Sequence, residues 1–357
     1  MQTFHCKPRI FYGDGALEQL SRCPGRSVLV VTDRYFAQSG LAQAVGSRVP
    51  GASVTVFSEV TPDPSAELAA RGAALCARNG HDVLIALGGG SPMDCAKGIV
   101  YVQEQRPLFI AIPTTSGTGS EVTSFSILSH NGVKHPIVDD ALLPDWAILD
   151  PSLLQQLPQS LIADAGMDVL AHCLEAMASR NASPFSDGYA AMAFRWCYQN
   201  LSRSFDGDSS VRGTVHAAAT MAGLAFDHAG LGISHALAHA LGGRFHVAHG
   251  RLNGILLPAV LEYNGAACLG QYAELARVAG IEGGTERLLL RNLITALRRL
   301  RRRLHLPETL TAAGIAPADL DSALDALVTA ALADPCCKTN PRTPTRQDLT
   351  ALLRQVR

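Results

Sequence analysis

One segment of the chain indicates its architecture most clearly: Asp82-Val83-Leu84-Ile85-Ala86-Leu87-Gly88-Gly89-Gly90-Ser91-Pro92-Met93-Asp94. It contains a short apolar run, then three glycines, then residues that favour the start of a helix. This order is typical of a buried parallel strand that is followed directly by a helix. Glycines let the backbone approach a phosphate closely, and the N–H groups of a helix N-terminus attract anions. We expect Ser91 to cap this helix and Asp94 to complete a capping pair. A plain strand-to-helix turn is the alternative, because glycine loops are weak motifs.

The pattern around this stretch predicts two domains. Apolar, β-branched runs predict strands at 27–32, 54–57, 82–87 and 107–112, with a helix at 65–79. Strands separated by single helices imply a doubly wound parallel sheet. We therefore predict an α/β dinucleotide-binding domain over residues 1–155 and an all-α metal-binding domain over residues 156–357. Helices of the second domain are predicted at 190–198, 215–226, 234–241, 272–278 and 288–304.

Composition narrows the class of protein. The 357 residues are 47% hydrophobic and carry a net charge of −1, which suits a two-domain globular chain and argues against nucleic-acid or anionic-membrane partners. No apolar run reaches the roughly 20 residues of a membrane span, and we expect no leader peptide. The nine cysteines form no C-x-x-C pair, so we expect reduced thiols and a cytoplasmic location. The arginine-rich segment 298–303 is interpreted as a solvated, cationic helix end.

Two pairs of side chains at four-residue spacing predict a metal site. Asp168 and His172 form one pair, and His235 and His239 form the other, with His249 further along the chain. Such spacing puts both members of a pair on one helix face. By spacing alone, His235 and His239 are both ligand candidates. The alternative to a metal site is an ordinary surface pair for Asp168 and His172 and core or capping roles for the histidines.

The chemistry of this set restricts the ion. It offers oxygen and imidazole nitrogen without thiolate, which fits Fe²⁺, Zn²⁺, Co²⁺ or Mn²⁺ and favours an open catalytic site over structural zinc. Beside a nicotinamide, such an ion would polarise an alcohol oxygen.

Two further features favour a nicotinamide cofactor. Asp33 ends the first predicted strand, where a carboxylate can accept the ribose 2′-hydroxyl and repel a 2′-phosphate, so we expect NAD rather than NADP. A helix cap is the alternative role for Asp33, and Arg34 beside it works against the exclusion of a phosphate. The loop 113–120 is rich in hydroxyls and could line the same end of the sheet.

Together these motifs resemble the iron-containing (group III) alcohol dehydrogenases over essentially the whole chain. The stretches that carry the resemblance are 88–94, 112–123, 142–151, 166–175, 230–258 and 338–342. The resemblance implies that Asp168, His172, His235 and His249 are the metal ligands and that His239 is a non-ligand active-site histidine. It implies NAD contacts at Asp33, Gly88, Gly89, Gly90, Ser91, Asp94, Thr114, Thr115, Thr118 and Lys134.

The resemblance also implies the reaction. We expect a metal-dependent dehydrogenase that uses NAD(H) and Fe²⁺, with Zn²⁺ as the alternative ion, to interconvert a small primary alcohol and its aldehyde. Propanol with propionaldehyde and ethanol with acetaldehyde are the expected pairs; lactaldehyde reduction or another polyol dehydrogenase activity of the same family is an alternative. The chain is most similar to short 1-propanol dehydrogenases associated with bacterial microcompartments. We therefore expect a homodimer or higher homo-oligomer, in the cytoplasm or inside such a compartment.

Two other functions compete with this one. A dehydroquinate-synthase-like lyase also combines NAD and a metal ion, but its phosphorylated substrate would need a cluster of cationic side chains. The segments near the ligands offer mainly Arg244 and Arg251. A non-catalytic metal- or nucleotide-binding scaffold would not need the full ligand set.

Overall fold

The computed structural model describes residues 3–130 and 133–357, with the side chains of Val133 and Lys134 outside the description. The chain divides into two compact units, Met1–Gln156 and Leu157–Arg357. The boundary expected from the sequence lies after residue 155.

The first unit is built on a six-stranded sheet whose order is β1-β8-β5-β4-β2-β3. All its strand pairs are parallel. The strands of the unit are β1 (Arg9–Tyr12), β2 (Ser27–Asp33), β3 (Ser53–Val60), β4 (Val83–Gly88), β5 (Leu108–Pro113), β6 (Phe125–His130), β7 (Val133–Val138) and β8 (Trp146–Leu149). Its α-helices are α1 (Arg34–Gln38), α2 (Leu41–Gly46), α3 (Ala66–Asn79) and α4 (Gly90–Tyr101).

Both faces of the sheet are covered, because successive side chains of a strand point to opposite faces. In β4 every residue is buried. Leu84 and Ala86 enter the apolar cluster that contains α3 and α4 residues. Val83, Ile85 and Leu87 enter the cluster on the other face. The doubly wound parallel sheet predicted from the sequence is therefore confirmed.

Four strands of this unit were not predicted from the sequence. β1 and β8 have four residues each, which is too short for a periodic pattern to stand out. β6 and β7 form a separate antiparallel pair. Pro136 lies within β7, and a proline lowers the expectation of a strand.

The second unit is helical throughout its named elements. Its α-helices are α5 (Gln159–Ala178), α6 (Pro184–Phe205), α7 (Arg212–Ala229), α8 (Ile233–Phe245), α9 (His249–Asn264), α10 (Leu269–Val278), α11 (Glu286–Arg303), α12 (Pro317–Ala333), α13 (Pro335–Thr339) and α14 (Arg346–Gln355). They surround two apolar cores, and α9 contributes to both. Each helix predicted after residue 156 overlaps one of these elements. Across the described residues, no helix has the length and apolar character needed to cross a membrane.

One arginine of the segment 298–303 differs from the prediction of a solvated cationic end. The side chain of Arg301 is buried, and its Nη1 donates to the carbonyls of Gly254 and Ile255 at 3.2 and 3.4 Å. Pro258 lies inside α9 and has no N–H to offer the Gly254 carbonyl one turn earlier. Arg301 therefore supplies the donor that the proline removes, because buried backbone carbonyls need a partner.

Candidate functional site

The predicted metal ligands Asp168 and His172 lie one turn apart on α5, the long buried helix of the second unit. Each is only 4% exposed. His172 Nε2 is 3.8 Å from Asp168 Oδ2. Burying a carboxylate is costly unless it is paired or bound to a cation, so this position needs charged or metal partners.

Two further histidines reach the same carboxylate from other helices. His235 Nε2, on α8, is 3.7 Å from Asp168 Oδ1. His249 Nε2, at the first residue of α9, is 3.6 Å from the same oxygen. Ligand atoms of Asp168, His172 and His235 all lie within 4.8 Å of one another.

This spacing fits a single metal ion. Ligands bound at about 2.1 Å in a tetrahedron are roughly 3.4 Å apart, close to the separations of these nitrogens from the carboxylate. Oxygen and imidazole donors are those that Fe²⁺ and Zn²⁺ accept. The side chain of His249 is 36% exposed, whereas the other three ligand candidates are almost fully covered. The set is therefore open on the side of His249.

Burial and charge together set the ionisation of the site. Burial alone would raise the pKa of Asp168, but the imidazoles of His172 and His249 hold it well below its usual range. Burial lowers the pKa of His172 to about 4. Burial opposes the charge on His235 as well, yet Glu175 and Asp168 raise its pKa to about 9. A divalent ion entering here would displace the His235 proton and offset two buried carboxylates.

Glu175 supports one of the candidate ligands, a role that the sequence motif 166–175 did not predict. Its Oε2 accepts from His235 Nδ1 at 2.6 Å and from the Gly232 N–H at 2.9 Å. Its Oε1 accepts from the Ser234 N–H at 2.7 Å. The carboxylate therefore holds the start of α8 and leaves His235 Nε2 facing Asp168, as outer partners of metal-binding histidines do. Its position seven residues after Asp168, on the same helix face, was the available signal.

Asn253 was also missed. It is fully buried on α9, four residues after His249. Its Nδ2 lies 2.8 Å from Asp168 Oδ1 and 3.1 Å from Nε2 of both His235 and His249. Ser234 Oγ donates to its Oδ1 at 3.1 Å. The amide nitrogen of Asn253 thus faces the point where the three candidate ligand atoms converge.

His239 lies beside this group but is held differently. Its ring stacks on His249 with centroids 5.1 Å apart, and its Nδ1 is 2.8 Å from Asp334 Oδ2. Helical spacing alone made His235 and His239 equivalent. The structure separates them, because His235 faces Asp168 whereas Nδ1 of His239 faces Asp334. Asp334 is distant in sequence from His239, and no sequence signal pointed to it.

Close packing brings α5 and α9 together at the site. An added Cβ on Gly250 would lie 2.0 Å from the carbonyl oxygen of Asp164. A side chain at this position would push α9 away from α5. Since His249 precedes Gly250 and Asp168 is on α5, the glycine sets the separation between two candidate ligands.

The predicted nucleotide loop has a different helix start from the expected one. Ser91 was expected to cap the helix, but Gly89 occupies the N-cap in an extended conformation and α4 begins at Gly90. Ser91 is therefore already within the first turn. The N-cap residue Gly89 makes no side-chain cap hydrogen bond. The first N–H groups of a helix attract anions. Gly88, with φ of 149°, makes the turn that residues with side chains rarely adopt.

The structure brings the hydroxyl-rich loop against the glycine turn. An added Cβ on Gly89 would contact Thr115 at 3.3 Å, and one on Gly90 would contact Thr118 at 3.2 Å. The Thr114 N–H donates to the Gly88 carbonyl at 3.0 Å. These predicted contact residues therefore form one surface beyond the carboxyl ends of β4 and β5.

The remaining predicted NAD contacts lie on the same unit. Asp94 is on α4, and its Oδ1 accepts from Ser120 Oγ at 3.4 Å. Asp33 Oδ1 accepts from the Phe36 N–H at 3.1 Å and caps α1, the role weighed as its alternative. The side chain of Lys134 is outside the described residues.

The segments near the ligands contain two arginines, of which Arg251 is paired with a carboxylate and Arg244 lies beside its neighbour Phe245. Arg251 makes two contacts with Asp164, Nε to Oδ1 at 3.1 Å and Nη2 to Oδ2 at 3.0 Å. The guanidinium of Arg244 lies 5.9 Å from the ring of Phe245. Arg251 and Arg244 thus do not form a cationic cluster of the kind that recognises a phosphate dianion.

Comparison with known proteins identifies the family of the chain. The family profile described as iron-containing alcohol dehydrogenase matches residues 7–151, and that of the C-terminal part of the same family matches residues 162–356. The chain is 39% identical to 1-propanol dehydrogenase PduQ of Salmonella typhimurium, with 100% of both chains covered. It is 34% identical to NADPH-dependent butanol dehydrogenase of Clostridium saccharobutylicum, covering 100% of this chain and 98% of the relative.

The chain also resembles a solved structure over its full length. The crystal structure of a 1,3-propanediol oxidoreductase superposes with a TM-score of 0.94 at 32% identity over 100% of both chains. The matched relatives are alcohol dehydrogenases, and the family of the two matching profiles implies a metal ion and a nicotinamide cofactor. By the match of both its halves and of its full length, the chain belongs to the iron-containing alcohol dehydrogenase family.

Proposed function

We propose that Asp168, His172, His235 and His249 hold one catalytic Fe²⁺ ion. The observation that carries this proposal is the convergence of three imidazole Nε2 atoms within 3.6–3.8 Å of one buried carboxylate. The donor set also accepts Zn²⁺, and the family name favours iron. A bound divalent ion supplies a Lewis acid for the oxygen of an alcohol or aldehyde.

The surrounding side chains position this set. Glu175 fixes the tautomer and the orientation of His235 through Nδ1. Asn253 donates to Asp168 and keeps its carboxylate turned towards the three imidazoles. His239 is the proposed group for proton transfer, and Asp334 holds its ring through Nδ1 so that Nε2 is left for the exchange.

For the cofactor we propose NAD(H) bound at the turn Gly88, Gly89, Gly90 and Ser91, with the pyrophosphate at the open start of α4. Asp94, Thr114, Thr115 and Thr118 would complete this surface, and Lys134 is proposed from the family pattern alone. Asp33 would favour NAD over NADP by facing the ribose, because a carboxylate repels a 2′-phosphate. One relative is named as NADPH-dependent, and the ratio of kcat/KM for NADH and NADPH measures this preference.

The proposed substrates are propionaldehyde and acetaldehyde with their alcohols, and the proposed direction is aldehyde reduction. The names of the propanol and butanol dehydrogenases support a short, unbranched substrate. We also propose a homodimer or higher homo-oligomer, in the cytoplasm or inside a bacterial microcompartment; these proposals rest on the resemblance in sequence.

The test is NADH oxidation by enzyme purified without oxygen and loaded with Fe²⁺, assayed with acetaldehyde, propionaldehyde, butyraldehyde and lactaldehyde. We expect turnover with the unbranched aldehydes, loss of turnover after chelation, and recovery when Fe²⁺ is returned. Exchange of His239 for alanine should lower turnover. Absence of aldehyde-dependent NADH oxidation by the metal-loaded enzyme would refute the proposed function.

A further inference from the structure

A second group of ligating side chains lies beside the proposed iron site. His239 comes from α8, whereas Asp334 and Cys336 come from the start of α13. One ligand atom from each of the three lies within 4.8 Å of the other two. Asp334 is the link, since its Oδ2 pairs with His239 Nδ1 at 2.8 Å and its Oδ1 accepts from the Cys336 N–H at 2.8 Å.

The chemistry of this group differs from that of the proposed iron site. It adds a sulfur to one imidazole and one carboxylate, whereas the first set has only oxygen and nitrogen donors. Sulfur, nitrogen and oxygen together suit Zn²⁺ and similar borderline ions. We propose that His239, Asp334 and Cys336 form a second divalent-metal site, one that takes a zinc-like ion.

The group is accessible enough to load. The side chains of His239 and Asp334 are 20% and 15% exposed, and Cys336 is partly exposed. Three protein ligands leave further coordination positions for water. All three side chains are partly exposed to solvent.

Binding has a defined proton balance. The ion would take the place of the proton shared by His239 Nδ1 and Asp334, and that proton would move to Nε2 of the same ring. The Cys336 thiol would lose its proton to solvent and bind as thiolate. Asp334 Oδ2 lies 2.8 Å from His239 Nδ1, so an ion bound between these two atoms takes the place of the bridging proton.

Occupation of this site should inhibit the enzyme. This consequence rests on the proposed function, in which His239 exchanges a proton through Nε2. An ion on Nδ1 would fix a proton on Nε2 and remove that exchange. Excess zinc should therefore slow turnover even when the first site keeps its own ion.

Binding is tested first, by anaerobic titration of the metal-free full-length enzyme with Co²⁺. Only the second site offers sulfur, so we expect a thiolate-to-cobalt charge-transfer band that grows with the second equivalent. Cys336→Ser should lose that band and the second equivalent while keeping the first. Cys337→Ser is the matched control, because Cys337 belongs to the apolar core next to α13. Asp334→Asn should also weaken the second equivalent.

The outcomes separate the two proposals. The second site is refuted if the wild-type enzyme binds no second equivalent of Co²⁺ or shows no thiolate-to-cobalt band. It is also refuted if that band persists in Cys336→Ser. Inhibition is measured as the loss of aldehyde-dependent NADH oxidation on adding Zn²⁺, relative to the zinc-free rate of each variant. We expect Cys336→Ser to resist zinc and Cys337→Ser to remain sensitive; equal sensitivity would refute inhibition through this site. An enzyme that binds the second ion but reduces no aldehyde would refute the proposed function alone.

Discussion

Replacement of Glu175 by glutamine tests whether the site is built around a metal-binding His235. The carboxylate receives three N–H donors, from His235 and Gly232 at Oε2 and from Ser234 at Oε1. Glutamine has the same shape but only one acceptor oxygen. If that oxygen takes the place of Oε2, the new amide NH₂ faces the Ser234 N–H, and two donors meet.

The magnitude follows from these contacts. A buried donor left without an acceptor costs about 1–3 kcal/mol of stability. Loss of the partner that orients a metal-binding histidine weakens metal affinity by about 10–100-fold. That range corresponds to about 1.4–2.8 kcal/mol of binding free energy. We therefore expect Glu175→Gln to lower both the unfolding free energy of the metal-free protein and its affinity for Fe²⁺ or Zn²⁺.

The assay is competition for the metal against a chromophoric chelator, together with urea unfolding of the metal-free protein. Glu274→Gln is the matched control, because Glu274 is an exposed glutamate of the same unit. An affinity in Glu175→Gln equal to that of the wild type, with Glu274→Gln also unchanged, would refute the role of Glu175 in holding His235.

Three further substitutions test separate parts of the structure. Arg301→Met should lower the unfolding free energy, measured by urea unfolding, by about 1–3 kcal/mol. In a Pro258→Ala background α9 regains its own N–H donor, so the same Arg301→Met change should cost less. An equal cost in both backgrounds would contradict the role of Arg301 as the donor that replaces the missing N–H of Pro258. Gly250→Ala puts a methyl group 2.0 Å from a carbonyl oxygen and should lower both Tm and metal affinity. Gly243→Ala, with nothing within 4 Å, should leave metal affinity unchanged and should not lower Tm, because alanine favours a helix more than glycine does. Asp33→Ser should raise kcat/KM for NADPH relative to NADH, and an unchanged ratio would exclude Asp33 from cofactor selection.

Sequence reasoning was most effective where the deciding contacts are local. Asp168 and His172 belong to one regular helix, so four-residue spacing places them together. The apolar run before the glycine turn predicted β4 because a strand buried on both faces needs apolar residues throughout. The cap at Ser91 was wrong because the start of α4 depends on the backbone conformation of Gly89, which residue types do not reveal.

Contacts between distant segments were beyond the sequence. The carboxylate of Asp334 reaches His239 across 95 residues, and nothing in the spacing of either residue indicates that pairing. In the sequence Arg301 does not differ from the charged residues beside it. The fold shows that its side chain donates to the Gly254 carbonyl, which Pro258 of α9 leaves without a backbone donor. The roles of Glu175 and Asn253 could have been predicted, because each lies at helical spacing from a predicted ligand.

The most direct test of the central claim compares two stacked histidines, His239 and His249. Their rings are parallel within 16° and their centroids are 5.1 Å apart, yet only His249 is a proposed ligand of the iron. The measurement is iron per subunit after anaerobic purification of the His249→Ala and His239→Ala variants beside the wild type. We predict that His249→Ala loses most of its iron and that His239→Ala keeps as much as the wild type while turning over slowly. Loss of iron from His239→Ala, with retention in His249→Ala, would contradict the proposed site.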